Sequence, residues 1–182
     1  MRKSFLFLAD GFEEVEALTP VDYLRRCELS VQTVGITGKL VRGSHGITVQ
    51  ADILPDEIDP EKTQMIVLPG GMPGTLNLEQ SEVVSDMIDY CVKKEIPIGA
   101  ICAAPSILGH KGLLSGKRAT CYTGFEEQLS GAQVTGEPVE ADGIFITARG
   151  AGVADRFAFA LIERLISKER AALVRDAVLC VK

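Results

Sequence analysis

The sequence holds only two histidines, His45 and His110, in 182 residues. Any mechanism that needs a histidine to take and return a proton is confined to those two positions. The five cysteines (Cys27, Cys91, Cys102, Cys121 and Cys180) are odd in number and irregularly spaced. They make no disulfide framework, no C-x-x-C pair suggests zinc, and no convincing metal-ligand set is present. No apolar run approaches the roughly 20 residues needed to span a bilayer. Neither G-x-G-x-x-G nor a P-loop occurs, so there is no nucleotide signature. The net charge of −6 argues against nucleic acid or an anionic membrane as partner. The opening "MRKSFLFLADGFEE" has basic residues and an apolar stretch. However, Phe5–Ala9 is shorter than a signal h-region of about 7–15 residues, and acids follow at once. It reads as a first strand, and a cytoplasmic protein is expected.

What is present is globular: 46% hydrophobic and 24% charged residues, with no linker, repeat or low-complexity tract. The length suits one domain over residues 1–182, large enough for a three-layer core without disulfides. Strand-like and helix-like segments alternate. Phe5–Ala9 ends in the turn pair Asp10–Gly11. "EEVEAL" and "TPVDYLRR" read as helical, with Thr19 as a cap and a break or kink at Pro20. "LSVQTVGI" is a second strand, and "KLVRGSHGITVQAD" reads as a hairpin around Gly43–Gly46. "MIVLPGG" is a buried strand ending in a glycine pair. Val83, Val84, Met87, Ile88, Cys91 and Val92 follow a helical period. "RATCYT" and "EADGIFITARG" add short extended pieces. A long helix follows, with Phe157, Ala158, Leu161, Ile162, Leu165 and Ile166 on one face. This alternation predicts an α/β fold, a mostly parallel sheet covered by helices on both faces.

In such folds sites gather at the carboxyl ends of strands. Three unusual local sequences fall there: "DGFEEVE", "LPGGMPG" and "GAICAAP". In the last, Cys102 stands where a strand turns into a helix, hemmed in by Gly99, Ala100, Ala103 and Ala104. A corner that displays a nucleophile is crowded, so its neighbours must be small. The helix start favours a thiolate. The backbone N–H groups of Ala103 and of the Gly70–Gly71 turn are candidates to hold an oxyanion or an oxidised sulfur. Against this stands a cysteine acting as a small apolar core residue. Cys91 reads as core and Cys121 as packed in a strand.

"GFEEVE", "VLPGG", "GAICAAP" and "ITARGAG", in this order, resemble the ThiJ/PfpI superfamily (class I glutamine amidotransferase-like). Within it they resemble the branch named for the parkinsonism-associated deglycase (DJ-one). The resemblance covers essentially the whole chain. It implies a flavodoxin-like three-layer sandwich, a homodimer, a reactive cysteine at the elbow and no cofactor. It also implies that Glu16, the last acid of "EEVE", contacts Cys102. A carboxylate beside a thiolate would raise both pKa values. A protonated Glu16 could instead donate a hydrogen bond to the sulfur, and the two groups would titrate as a pair. Glu13 and Glu14 read as solvated acids.

His110 lies eight residues after Cys102, about 12 Å along a helix, and reads as structural or surface. The intracellular-peptidase branch places histidine directly after the nucleophile, where Ala103 stands here. No histidine follows His110, which argues against the His–x–Glu of glutamine amidotransferases and against peptidase chemistry. Tyr122 aligns with a histidine of the animal deglycase. His45 aligns with a position on an excursion that packs at the family's dimer interface, where it could reach a pocket of the partner subunit. Arg149 and Gly150 lie at a turn that the family uses near the cysteine and the partner chain. The resemblance implies glyoxalase III or deglycase chemistry on a small carbonyl substrate. An oxidative-stress sensor or redox-regulated chaperone, with Cys102 oxidised to sulfinate, uses the same two residues, and the sequence leaves both open.

Overall fold

The computed structural model describes residues 2–180. Its strands and helices run β1 (Lys3–Leu8), α1 (Glu14–Arg26), β2 (Val31–Gly35), β3 (Leu40–Arg42), β4 (Thr48–Gln50), β5 (Thr63–Leu68), α2 (Gly74–Glu79) and α3 (Glu82–Lys93). They continue with β6 (Ile98–Ile101), α4 (Pro105–His110), β7 (Arg118–Ala119), β8 (Gln133–Val134), β9 (Val139–Asp142), β10 (Phe145–Ala148), α5 (Ala154–Leu165) and α6 (Lys168–Ala177). Six strands form the central sheet in the order β2-β1-β5-β6-β10-β9. All neighbours are parallel except β9, which returns antiparallel on β10. Counted along the chain, the five parallel strands have the 2-1-3-4-5 order of the flavodoxin-like fold.

Strand β1 shows why both faces are covered. Successive side chains of a strand point to opposite faces. Phe5 and Phe7 enter one apolar layer, with Val84, Met87, Ile88 and Cys91 of α3 and with Leu108 of α4. Leu6 and Leu8 enter the other, with Ala17, Val21 and Leu24 of α1 and with Phe157, Leu161 and Ile162 of α5. A strand buried on both faces has no polar alternation, which is why Phe5–Leu8 reads as a plain apolar run.

Three expectations are corrected in detail. Helix α1 runs through Pro20 without interruption, because Pro20 is buried and Val21 and Leu24 beyond it belong to the same core layer. Packing outweighs the one backbone bond that proline removes. Thr19 therefore lies inside the helix; the cap is the Glu13 carboxylate, which accepts from the Glu16 N–H at 2.7 Å. "EADGIFITARG" is not one extended piece but the β9–β10 hairpin. The excursion at 40–50 is a two-stranded hairpin, as expected.

Gly99 sets the seat of β6. A Cβ there would lie 2.8 Å from Leu161 Cδ2 and 3.0 Å from Phe157 Cζ, so its absence lets α5 press directly on the strand that presents Cys102. Phe157 is fully buried. Phe157→Ala is expected to lower the unfolding free energy by about 3–5 kcal/mol, through lost burial and the cavity left behind, as measured by urea denaturation.

Candidate active site

Four strand ends converge. Glu16 follows β1, Gly70 and Gly71 follow β5, Cys102 follows β6, and Arg149 and Gly150 follow β10. Cys102 sits at φ +65°, in the left-handed region that a non-glycine residue rarely adopts. Its backbone is held on both sides. The N–H donates to Ala148 O at 2.9 Å, and the C=O accepts from the Tyr122 N–H at 2.8 Å. This turn ends β6 abruptly and leaves the side chain half-buried at the sheet edge. Strain of about 1–3 kcal/mol is typical of such a residue and persists only where its surroundings fix it.

The sulfur and the Glu16 carboxyl are neighbours, close enough that each shifts the titration of the other. Glu16 is 1% exposed. One of its oxygens accepts from the Gly70 N–H at 3.0 Å, and the Ala151 backbone nearby also favours its anion. The backbone N–H groups of Ala103 and Gly71 lie near the sulfur and favour its anion. The three predicted backbone groups thus divide: Gly71 and Ala103 lie by Cys102, while Gly70 holds its partner. Gly70 must also lack a side chain. A Cβ there would stand 2.6 Å from both Cys102 Cβ and Glu16 Oε2.

Burial pushes the Glu16 carboxyl up to about 7, with the neighbouring charge of Glu13 adding to the rise against the hydrogen bonds that favour the anion. Burial first, and then the Glu16 charge, push the Cys102 thiol up to about 12. This overturns the expectation of a thiolate favoured by a helix start. Helix α4 has only six residues, and its N-cap is Ala104, two residues beyond the sulfur. A helix dipole contributes about 0.3–1 kcal/mol at its end, whereas desolvation moves a pKa by up to about 3–5 units. Desolvation wins. The pair therefore releases one proton near neutrality and holds the second far more tightly.

A cavity of about 450 Å³ opens over this pair. Its walls include Gly71, Ala103, Tyr122 and His45, all singled out in the sequence, and Glu13, Ser44, Met72, Phe125 and Ala151, which were not. Glu14, read as a solvated acid, is instead buried, and so is corrected. Its carboxylate accepts from the His45 N–H at 2.8 Å and meets His45 Nδ1 at 2.9 Å. These bonds tie the β3–β4 hairpin to α1. The same contact raises the His45 pKa and helps to lower that of Glu14. His45 is thus fixed beside the pocket of its own chain. His110 pairs with Glu79 on the surface, as its position in the sequence implied. Arg149 is exposed. Gly150 lies against Tyr122 and the Glu16 carboxyl, where an added Cβ would be 3.4 Å and 3.6 Å away.

Comparison with known proteins shows which family the chain belongs to and agrees with its fold. The sequence profile of the DJ-1/PfpI family matches residues 2–164. The chain belongs to the DJ-1/PfpI family. It is 33% identical to Protein dj-1beta of Drosophila melanogaster over 181 residues, 98% of this chain and 97% of that one. It is 31% identical over 147 residues to a protein of Pyrococcus abyssi named a deglycase, covering 79% of this chain and 87% of that one. The solved structure of oxidized Toxoplasma gondii DJ-1 superposes with a TM-score of 0.95 at 32% identity over 100% of both chains. The chain spans less than half the length of two Arabidopsis thaliana relatives that it also matches, 40% and 44%.

The raised carboxyl has a consequence for stability. In the folded chain Glu16 keeps its proton up to about pH 7, whereas an unfolded glutamate loses it near 4.5. Between those values the folded state binds more protons, so this group lowers stability as pH rises from about 4.5 to 7. Glu16→Gln is expected to be more stable than wild type by up to about 3 kcal/mol at pH 8 and no more stable at pH 4, compared by urea denaturation at both pH values.

Proposed function

We propose that this protein is a glyoxalase- and deglycase-type enzyme acting on α-oxoaldehydes or their early glycation adducts. The observation that carries the reading is a thiol and a near-neutral carboxylic acid side by side in the lining of an open cavity. The deglycase name of the Pyrococcus abyssi relative supports it. The Cys102 sulfur adds to the aldehyde carbon, and the thiol proton passes through Glu16 to the carbonyl oxygen, giving a thiohemiacetal. The Gly71 and Ala103 N–H groups, near the sulfur, lie where they can bind the developing oxyanion. Glu16 then takes the remaining hydrogen of that carbon as a proton and returns it to the adjacent carbonyl carbon through an enediol. The result is a thioester of a 2-hydroxy acid. Water cleaves the C–S bond, releasing the acid and restoring the thiol. One water is added overall, and no electron leaves the substrate.

The same donors fit a second reading. N–H groups near the sulfur, beside a carboxyl able to donate, would also hold the oxygens of a sulfinate, as a peroxide sensor requires. Peroxide titration followed by intact-mass and peptide analysis separates the two. A two-oxygen gain confined to Cys102 supports the sensor, and oxidation spread over all five thiols rejects it.

We also propose a homodimer. Val15 and Leu18 on α1, and Leu40 and Ile47 on the hairpin tied to it, are exposed apolar side chains on elements that border the cavity. A monomeric mass at micromolar concentration would reject this. For the enzyme, lactate formation from methylglyoxal without glutathione is the deciding assay. Cys102→Ser and Glu16→Gln are each expected to lower kcat/KM by about a hundredfold or more. A wild-type rate equal to that of Cys102→Ser overturns the proposal.

A further inference from the structure

A second cavity, of about 300 Å³, adjoins the one over Cys102. Tyr122 lines both, and the turn at residues 150–152 separates them. Arg149 lines the second cavity, one residue after Ala148, whose carbonyl holds the Cys102 N–H. Its guanidinium is positioned by neutral groups alone. Nη1 donates to Gly136 O at 3.2 Å and Nη2 to Thr123 Oγ1 at 3.2 Å. Among the described residues no carboxylate forms an ion pair with it. A guanidinium has five N–H donors in a planar fork, and two neutral acceptors leave donors available for a carboxylate or phosphate.

The charge around the sulfur gives this cation a direction. Glu13, Glu14 and Glu16 gather on the α1 side of Cys102, and His45, which lines the cavity there, is occupied by Glu14. An anionic end of a bound molecule is repelled from that side and drawn to the Arg149 side. Size points the same way. Pockets of about 300–1,000 Å³ hold drug-sized ligands, and a three-carbon aldehyde fills little of the main cavity.

We propose that Arg149 forms an anion subsite, and that the preferred substrates are α-oxoaldehydes carrying a carboxylate or phosphate at the end remote from the aldehyde. The inference deepens the enzymatic reading above and rests on it for the aldehyde, but not for the anion. The aldehyde carbon meets Cys102, the chain passes Tyr122, and the anion takes the free edge of the guanidinium.

The test compares kcat/KM for methylglyoxal, for 4,5-dioxovalerate with its distal carboxylate, and for hydroxypyruvaldehyde phosphate, in wild type, Arg149→Met and Arg149→Lys. A hydrogen-bonded charge pair implies a wild-type preference of about tenfold to a hundredfold for an anionic substrate. Arg149→Met should erase it, mainly through KM, and Arg149→Lys should keep part of it. Whichever anionic substrate gains more identifies carboxylate or phosphate as the group read. Equal constants for charged and neutral aldehydes in wild type, or a preference that survives Arg149→Met, overturns the subsite. Calorimetry on the Cys102→Ser protein separates the two claims. 2-Hydroxyglutarate should bind at least about tenfold more tightly than lactate, and Arg149→Met should remove the difference. If no aldehyde is turned over, the enzymatic reading falls, and this binding comparison alone decides for or against the anion subsite.

Discussion

A proton shared between one buried carboxyl and one half-buried thiol is the constraint around which this molecule is arranged. Glu16 and Cys102 lie 86 positions apart in the sequence and meet because parallel strands bring their carboxyl ends to one sheet edge. Every element that approaches the pair gives up something to do so. Gly70 has no side chain because any atom there would strike both groups. Cys102 occupies a left-handed conformation that most residues avoid. Glu16 has almost no contact with water. Each is unfavourable by itself, and the two packed layers against the sheet supply the stability that lets them persist.

The fold was legible where periodicity was plain. The apolar run of β1, the stripe on α3 and the strand–cysteine–helix corner are local patterns, and local patterns survive folding. What the sequence did not disclose was decided by contacts between distant segments. Pro20 reads as a helix break until its burial is seen. Glu14 reads as one more solvated acid in "FEEVE" until the β3–β4 hairpin arrives and surrounds its carboxylate with N–H groups and His45. Phe125 carries no motif, so its place on the cavity wall depended on tertiary placement alone.

The state of the sulfur was the largest departure. The sequence shows a cysteine before a helix and suggests a thiolate held by the helix start. Helix α4 is too short, and the burial of both partners too deep, for that term to govern. The neutral thiol with ionised Glu16, and the thiolate with protonated Glu16, carry the same net charge and differ only in where one proton sits. A single proton transfer between the two neighbouring groups interconverts these forms. A carboxyl raised to about 7 suits that exchange better than an ordinary glutamate, whose proton would be gone well below neutrality.

The scarcity of histidine then becomes informative. His110 is engaged with Glu79 on the far side of α4, and His45 is bonded to Glu14 at the cavity edge. The group at the sulfur with a pKa in the neutral range is Glu16. If chemistry occurs here, the transfers that a cysteine hydrolase assigns to an imidazole pass through this carboxyl in both directions. Helix α1 sets the position of that carboxyl. Its first turn, capped by Glu13 and anchored to the hairpin through Glu14, carries Glu16 to the carboxyl end of β6 rather than outward to solvent.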